Sequence, residues 1–342
     1  MRLRGTTRLR RYGRRAIDAL APGGIILCYH RVAEPELDPW GLSVTPRHFE
    51  EHLEVIRRFG RAVRLDHFTK TSNHGAPFKG AVAITMDDGY LDNFEKARPL
   101  LEKHAVPATV FVVSGTMDSG RSFWWEELAA LLLRPGTLPP TLELTQGGEV
   151  HRFELNDAVH YSPSDRARDR AVRVWQARPG SRIELYHRVW SLLQPLKAAD
   201  QQRHLAGIRA WAGDPVDSGD GLDTMTARQL RELAEGGLIE VGGHTVSHPS
   251  LPRHDEDHRE AEIEGGKAAL EEMTGTPVTS FAYPYGDFCP ATVRRVKASG
   301  YKRACSTRQG QVRGLTNPYL LPRYDVRDCT GEELSRRLFN RA

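Results

Sequence analysis

No run in this chain approaches the ~20 consecutive apolar residues that a bilayer-spanning helix needs, so no helical membrane span is expected. Cysteine is scarce. The four present, Cys28, Cys289, Cys305 and Cys329, show no Cys-x-x-Cys spacing. A disulfide framework is unneeded at 342 residues, and reduced, buried thiols are the default. There is no internal repeat and no low-complexity tract. Acidic residues are missing from residues 1–15, which hold Arg2, Arg4, Arg8, Arg10, Arg11, Arg14 and Arg15. The net charge of +4 comes from that leader, because the remainder carries 41 basic against 44 acidic residues. The body therefore gives no electrostatic case for nucleic acid. The leader itself reads as a solvated tail, as a basic arm on an anionic membrane surface, or as a nucleic-acid contact. The apolar stretch after it is broken by Asp18, Pro22 and Gly23-Gly24, unlike a secretion signal. The expectation is a cytoplasmic protein, peripheral at the inner membrane face through its arginines, with no nucleic-acid partner.

Strand-like and helix-like segments alternate through much of the chain. Gly24–Tyr29 is a short apolar strand ended by His30-Arg31. Thr45-Pro46 reads as N-cap and first helical residue, followed by Phe49, Leu53 and Ile56 on one helical face. A weaker strand near Ala62–Leu65 precedes the apolar run Ala81–Met86, a helix from about Leu91 to His104 and a strand at Ala108–Val113. The rhythm fails between about Arg121 and Leu222, then resumes with a helix at Thr226 and a strand at Leu238–Gly242. A helix at about Asp255–Met273 stops at Gly275, and strands near Phe281, Arg303–Ser306 and Leu321–Val326 follow. This is the pattern of an α/β fold, a distorted (β/α) barrel of seven to eight strands in preference to an open sheet. The expected divisions are a leader at 1–22, a barrel from 23–121 and 223–342, and an inserted, mainly helical subdomain at 122–222. The insertion is either elaboration of one loop or a wall that selects substrate.

The run Ala81–Met86 ends in Asp87-Asp88-Gly89, where α/β folds place their chemistry. Two adjacent carboxylates repel unless a cation or a shared proton relieves them. Helix capping explains one of the pair, not both. His244 and His248, four apart beyond another strand, read either as surface histidines or as two ligands of one ion. With a carboxylate they make a facial set that keeps positions open for water and substrate. Zinc is the default ion, and iron, cobalt, nickel or manganese would also fit.

Asp87-Asp88-Gly89, His244-x-x-x-His248 and Tyr283-Pro284-Tyr285-Gly286, in this order, resemble the polysaccharide deacetylase family, the NodB homology domain of carbohydrate esterase family 4. The resemblance covers residues ~24–120 and ~224–326. It implies a metal-dependent hydrolase that removes N-acetyl groups from an N-acetylhexosamine-containing glycan or lipid-linked sugar. Carried over by position, Asp87 is the catalytic base, Asp88, His244 and His248 are the metal ligands, and the Tyr285 N–H is an oxyanion donor. Tyr283, Pro284, Tyr90 and Trp124 are the candidate substrate contacts. In two places the chain departs from the family pattern. Ala282 stands where an arginine often orients the base, and Arg323 is the candidate replacement. The family's Leu-x-His has no match, which leaves His30 as candidate acid for the leaving amine, or as a core histidine. The Phe281–Gly286 form resembles a branch that modifies exopolysaccharide. Alternatives are hydrolysis of another non-peptide C–N bond, such as a cyclic amide or formamide, and an inactive metal-binding scaffold in glycan assembly.

Overall fold

The computed structural model describes residues 23–70, 78–213 and 224–339. The arginine leader, the polar loop 71–77 and the linker 214–221 lie outside the described residues. Eight parallel strands make the main sheet: β1 (Ile25–Tyr29), β2 (Arg61–Ala62), β3 (Ala81–Met86), β4 (Ala108–Val112), β5 (Ile239–Gly243), β6 (Ser280–Ala282), β7 (Arg303–Cys305) and β8 (Tyr324–Asp325). Their order is β7-β6-β5-β4-β3-β1-β8, with β2 beside β3. All six residues of β3 are buried, which is why the strand reads as an unbroken apolar run rather than an alternation. Leu321, just before β8, makes a parallel bridge to Cys305 of β7. Ser306 N–H donates to Leu321 O and Leu321 N–H to Ala304 O, each at 2.9 Å. The closing segment thus bonds to β7 at one end and to β1 at the other. Pro322, which has no N–H to give a ladder, separates the two pairings. The result is the expected distorted (β/α) barrel.

Helices cover the sheet where the sequence places them. Thr45 accepts from His48 N–H at the start of α1 (Pro46–Phe59), which buries Phe49, Leu53 and Ile56. The helix begins at Leu91 as expected but widens into a π-helical turn, Asn93–Ala97, before α2 (Arg98–His104). Pro99 lacks an N–H and its ring crowds the carbonyl four residues back. A widened turn accommodates both. Asp255 caps α7 (Glu256–Thr274), and left-handed Gly275 ends it.

The segment between β4 and β5 carries α3 (Trp124–Leu133), α4 (Arg182–Leu193), α5 (Ala198–Trp211) and, just before β5, α6 (Ala227–Ala234). It also holds an antiparallel hairpin, Thr141–Gln146 with Glu149–Glu154, within an insertion expected to be mainly helical. Gly147 and Gly148 at its tip both have positive φ (59° and 86°), as a two-residue type I′ turn requires. Leu128, Leu132, Ile183, Val189 and Leu205 form an apolar cluster here, joined by Tyr90 and Val113 from the barrel side. Arg182 is buried at its edge and donates to the carbonyls of Leu132 (2.8 Å), Val159 (2.9 Å), Gly136 (3.3 Å) and Ala158. One side chain thus ties together four backbone carbonyls from three stretches of the subdomain.

Candidate active site

All but one of the chemically active residues of the site lie beyond the C-terminal end of a strand, and Arg323 enters from the start of the last one. Asp87 and Asp88 follow β3, His244 follows β5, Tyr285 follows β6, and Arg323 precedes β8. Asp88 (φ 73°), Thr245 (φ 69°), His248 (φ 62°) and Tyr285 (φ 58°) all hold left-handed backbone. Non-glycine residues adopt that region at a cost and gather in it where the surrounding structure fixes a site. The turn bearing the histidines is held from outside. Glu262 of α7 accepts from Val246 N–H (2.9 Å), Ser247 N–H (2.8 Å) and the Ser247 hydroxyl (2.5 Å). Helix α7 approaches closely at Gly266, where a Cβ would sit 2.9 Å from the Thr245 carbonyl carbon.

One oxygen of Asp88 lies 3.5 Å from His244 Nε2 and 3.4 Å from His248 Nε2. An ion bound at 2.0–2.2 Å in a tetrahedron separates its ligand atoms by about 3.4 Å, so the three donors already stand at coordination spacing. His244 donates from Nδ1 to Ala282 O at 2.8 Å, which leaves Nε2 with its lone pair toward Asp88. Burial works against a charged His244, but the Asp88 and Asp87 carboxylates outweigh it and hold the imidazole pKa above its ordinary value. For His248 burial wins, and its pKa falls to about 3. A neutral imidazole is the ligating form. These residues fit a divalent ion.

Asp87 has a different partner. Arg323 NH1 and NH2 donate to its two oxygens, each at 2.7 Å, and NH1 also reaches Thr85 Oγ1 at 3.1 Å. Burial would raise the Asp87 pKa, but the Arg323 guanidinium more than offsets it and holds the carboxyl well below the usual range. The Cys28 thiol lies 3.5 Å from the same carboxylate. Cys28, His30 and Asp87 come close enough to suggest a second metal set, but the Arg323 fork already occupies Asp87 with positive charge.

Asp87, Asp88, His244 and His248 line a cleft of about 170 Å³. His30 and Tyr285 line it as expected, but Tyr283, Pro284, Tyr90 and Trp124 do not. All four are buried. Tyr90 gives its hydroxyl proton to Glu126 and accepts from Trp125 Nε1, both at 2.8 Å. Tyr283 donates to Tyr319 O at 3.1 Å. The aromatic walls come instead from Trp40, Trp125 and Trp190, with Arg327 at the edge. The Trp125 ring centre is 4.9 Å from that of His248, and Trp40 and Trp190 are 4.5 Å apart. The sequence signal for Trp125 was the Trp124-Trp125 pair, and only helix register decides which indole faces the cleft. Trp40, Trp190, Arg327 and Glu262 carry no motif.

At the C-terminal rim of the parallel barrel, an Asp-His-His cluster that could hold an ion lies beside a guanidinium-held carboxylate. A family model described as polysaccharide deacetylase matches residues 74–136 and 187–304. The chain belongs to the polysaccharide deacetylase family. YxkH of Bacillus subtilis (strain 168), a relative named after the same family, is 30% identical over 90 residues, 26% of this chain and 31% of its own length. The match thus spans about a third of that curated relative. Among solved structures, IcaB from Ammonifex degensii is similar at 20% identity and a TM-score of 0.54, covering 92% of this chain and 95% of that one. BC0361, a polysaccharide deacetylase from Bacillus cereus, is similar at 16% identity and a TM-score of 0.55, covering 92% of this chain and 68% of that one. At these identities the likeness shows the fold.

Proposed function

We propose that the chain is a divalent-metal-dependent hydrolase that removes N-acetyl groups from an N-acetylhexosamine-containing glycan. Family membership supplies the reaction class. The observation that carries the reading is the convergence of Asp88, His244 and His248 at coordination spacing beside a separately held Asp87. A divalent ion on those three residues, zinc by default, supplies Lewis acidity and lowers the pKa of water from 15.7 toward roughly 7.

The remaining work belongs to the chain's own side chains. Asp87 is the base: Arg323 keeps it ionised and fixes its plane, leaving its other lone pairs free to accept a proton. The Tyr285 backbone, fixed at positive φ between Gly286 N–H to Tyr283 O (2.8 Å) and Asp287 N–H to Pro284 O (3.0 Å), offers an N–H to the developing oxyanion. His30, on the same cleft wall as Asp87, is the candidate donor to the leaving amine. The Phe281–Gly286 segment supports an exopolysaccharide or its precursor as the glycan.

Acetate release from N-acetylglucosamine oligomers, measured with zinc or cobalt restored, tests the reading. Asp87→Asn should lower kcat by at least about a hundredfold, within the range for loss of a general base. An Asp87→Asn enzyme as active as its parent would refute the assignment of the base.

A further inference from the structure

The catalytic cleft, at about 170 Å³, falls below the ~300 Å³ at which drug-sized pockets begin, room for about one sugar unit. At its edge Arg327 continues outward, its guanidinium carbon 5.6 Å from the ring centre of Trp175. Trp175 is 61% exposed, one of three large apolar side chains that stand out in solvent among the described residues. We propose that Trp175 and Arg327 form a second sugar-binding platform, which takes the residue adjoining the one deacetylated, so that the substrate is a glycan of at least two sugars. The proposal rests on the deacetylase reading for its placement of the first sugar.

The platform is held rather than loose. Val174 N–H donates to Pro39 O at 2.9 Å and Arg173 NH1 to Asp38 O at 2.6 Å. Arg327 NH1 donates to Gly41 O at 2.6 Å and to Trp40 O. Trp175 is therefore tied to the loop that presents Trp40 to the cleft, with Arg327 reaching from the cleft lining to the Trp175 ring. A flat aromatic face suits the C–H face of a pyranose, apolar on one side and hydroxyl-bearing at its rim.

The charge pattern selects among ligands. Arg327 NH2 lies 2.6 Å from the Asp325 carboxylate, and NH1 is committed to two carbonyls. Little positive charge remains for an incoming phosphate, which favours an uncharged neighbouring sugar over the diphosphate of a lipid carrier.

Calorimetric titration of the full chain, its Trp175→Ala variant and its Trp175→Phe variant with N-acetylglucosamine and with its tetramer tests this. The parent should prefer the tetramer, and Trp175→Ala should lose roughly two- to tenfold of tetramer affinity, as for one aromatic contact. The tetramer's advantage over the monosaccharide should shrink accordingly, and Phe should restore part of it. Equal tetramer affinity in parent and Trp175→Ala, or a parent that does not bind the tetramer, overturns the platform. So does Trp175-dependent binding of a polyprenyl-diphosphate-linked sugar without binding of the tetramer. Because binding is read without turnover, Trp175-dependent tetramer binding by a parent that releases no acetate would sink the deacetylase reading and leave the platform standing.

Discussion

Asp87 and Asp88 are neighbours in sequence and equally buried, and their partners alone distinguish them. Asp88 faces two imidazoles, Asp87 a guanidinium. The pair was legible because two carboxylates at a strand end have few structural explanations, and the histidine spacing was legible for the same reason. Arg323 was legible only as the sole basic side chain of the last strand segment, since contact across 236 residues leaves no mark in local pattern. The aromatic walls were not legible. Trp124 and Trp125 differ by one helical position, about 100° of rotation, and that rotation gives Trp125 alone a place on the cleft wall, although both indoles belong to the apolar cluster. Arg323→Lys keeps a charge but loses the fork that matches a carboxylate. The acid limb of the pH–rate profile should move upward as Asp87 regains proton affinity, and kcat should fall on the order of ten- to a hundredfold. An unshifted acid limb would mean that Arg323 does not set the state of Asp87.

At the level of elements, the strands and the capped helices were readable because their causes are local: Thr45, Asp255 and Gly275 each stop or start a helix by their own chemistry. The hairpin at 141–154 was also readable, in the Gly147-Gly148 turn between alternating residues, and was missed because the surrounding segment reads as helical. The π-helical turn is different, since Pro99 permits several ways of breaking a helix and packing chooses one. The turn from Gly243 to Pro249 illustrates support from a distance. Its backbone N–H groups at Val246 and Ser247 depend on Glu262, a residue of another element. Glu262→Gln keeps the shape but removes the charge and turns one acceptor into a donor. Zinc affinity, measured against a competing chelator, should weaken about ten- to a hundredfold while far-ultraviolet circular dichroism stays unchanged. Parent-like affinity would show that the histidine turn holds its own geometry.

For the molecule as a whole, His52 provides a titration of the fold away from the site. It is buried between Tyr29 OH (3.2 Å) and Cys329 O (2.8 Å). Burial pushes its pKa down to about 4 from 6.5. Between those values the unfolded chain binds a proton that the folded chain does not, so stability falls as pH drops from 6.5 toward 4 and levels below it. The window is worth about 3 kcal/mol for this group. Urea midpoints should follow that slope, and His52→Gln should flatten it; an equally steep variant would place the titration elsewhere.

The same closing segment that docks α8 (Gly331–Phe339) and β8 against the start of the barrel also delivers Arg323. During synthesis, then, Asp88, His244 and His248 are all in the chain some 75 residues before the counter-charge of Asp87 is added (His248 against Arg323). Closing the cylinder and supplying Asp87 with its counter-charge are therefore one folding event.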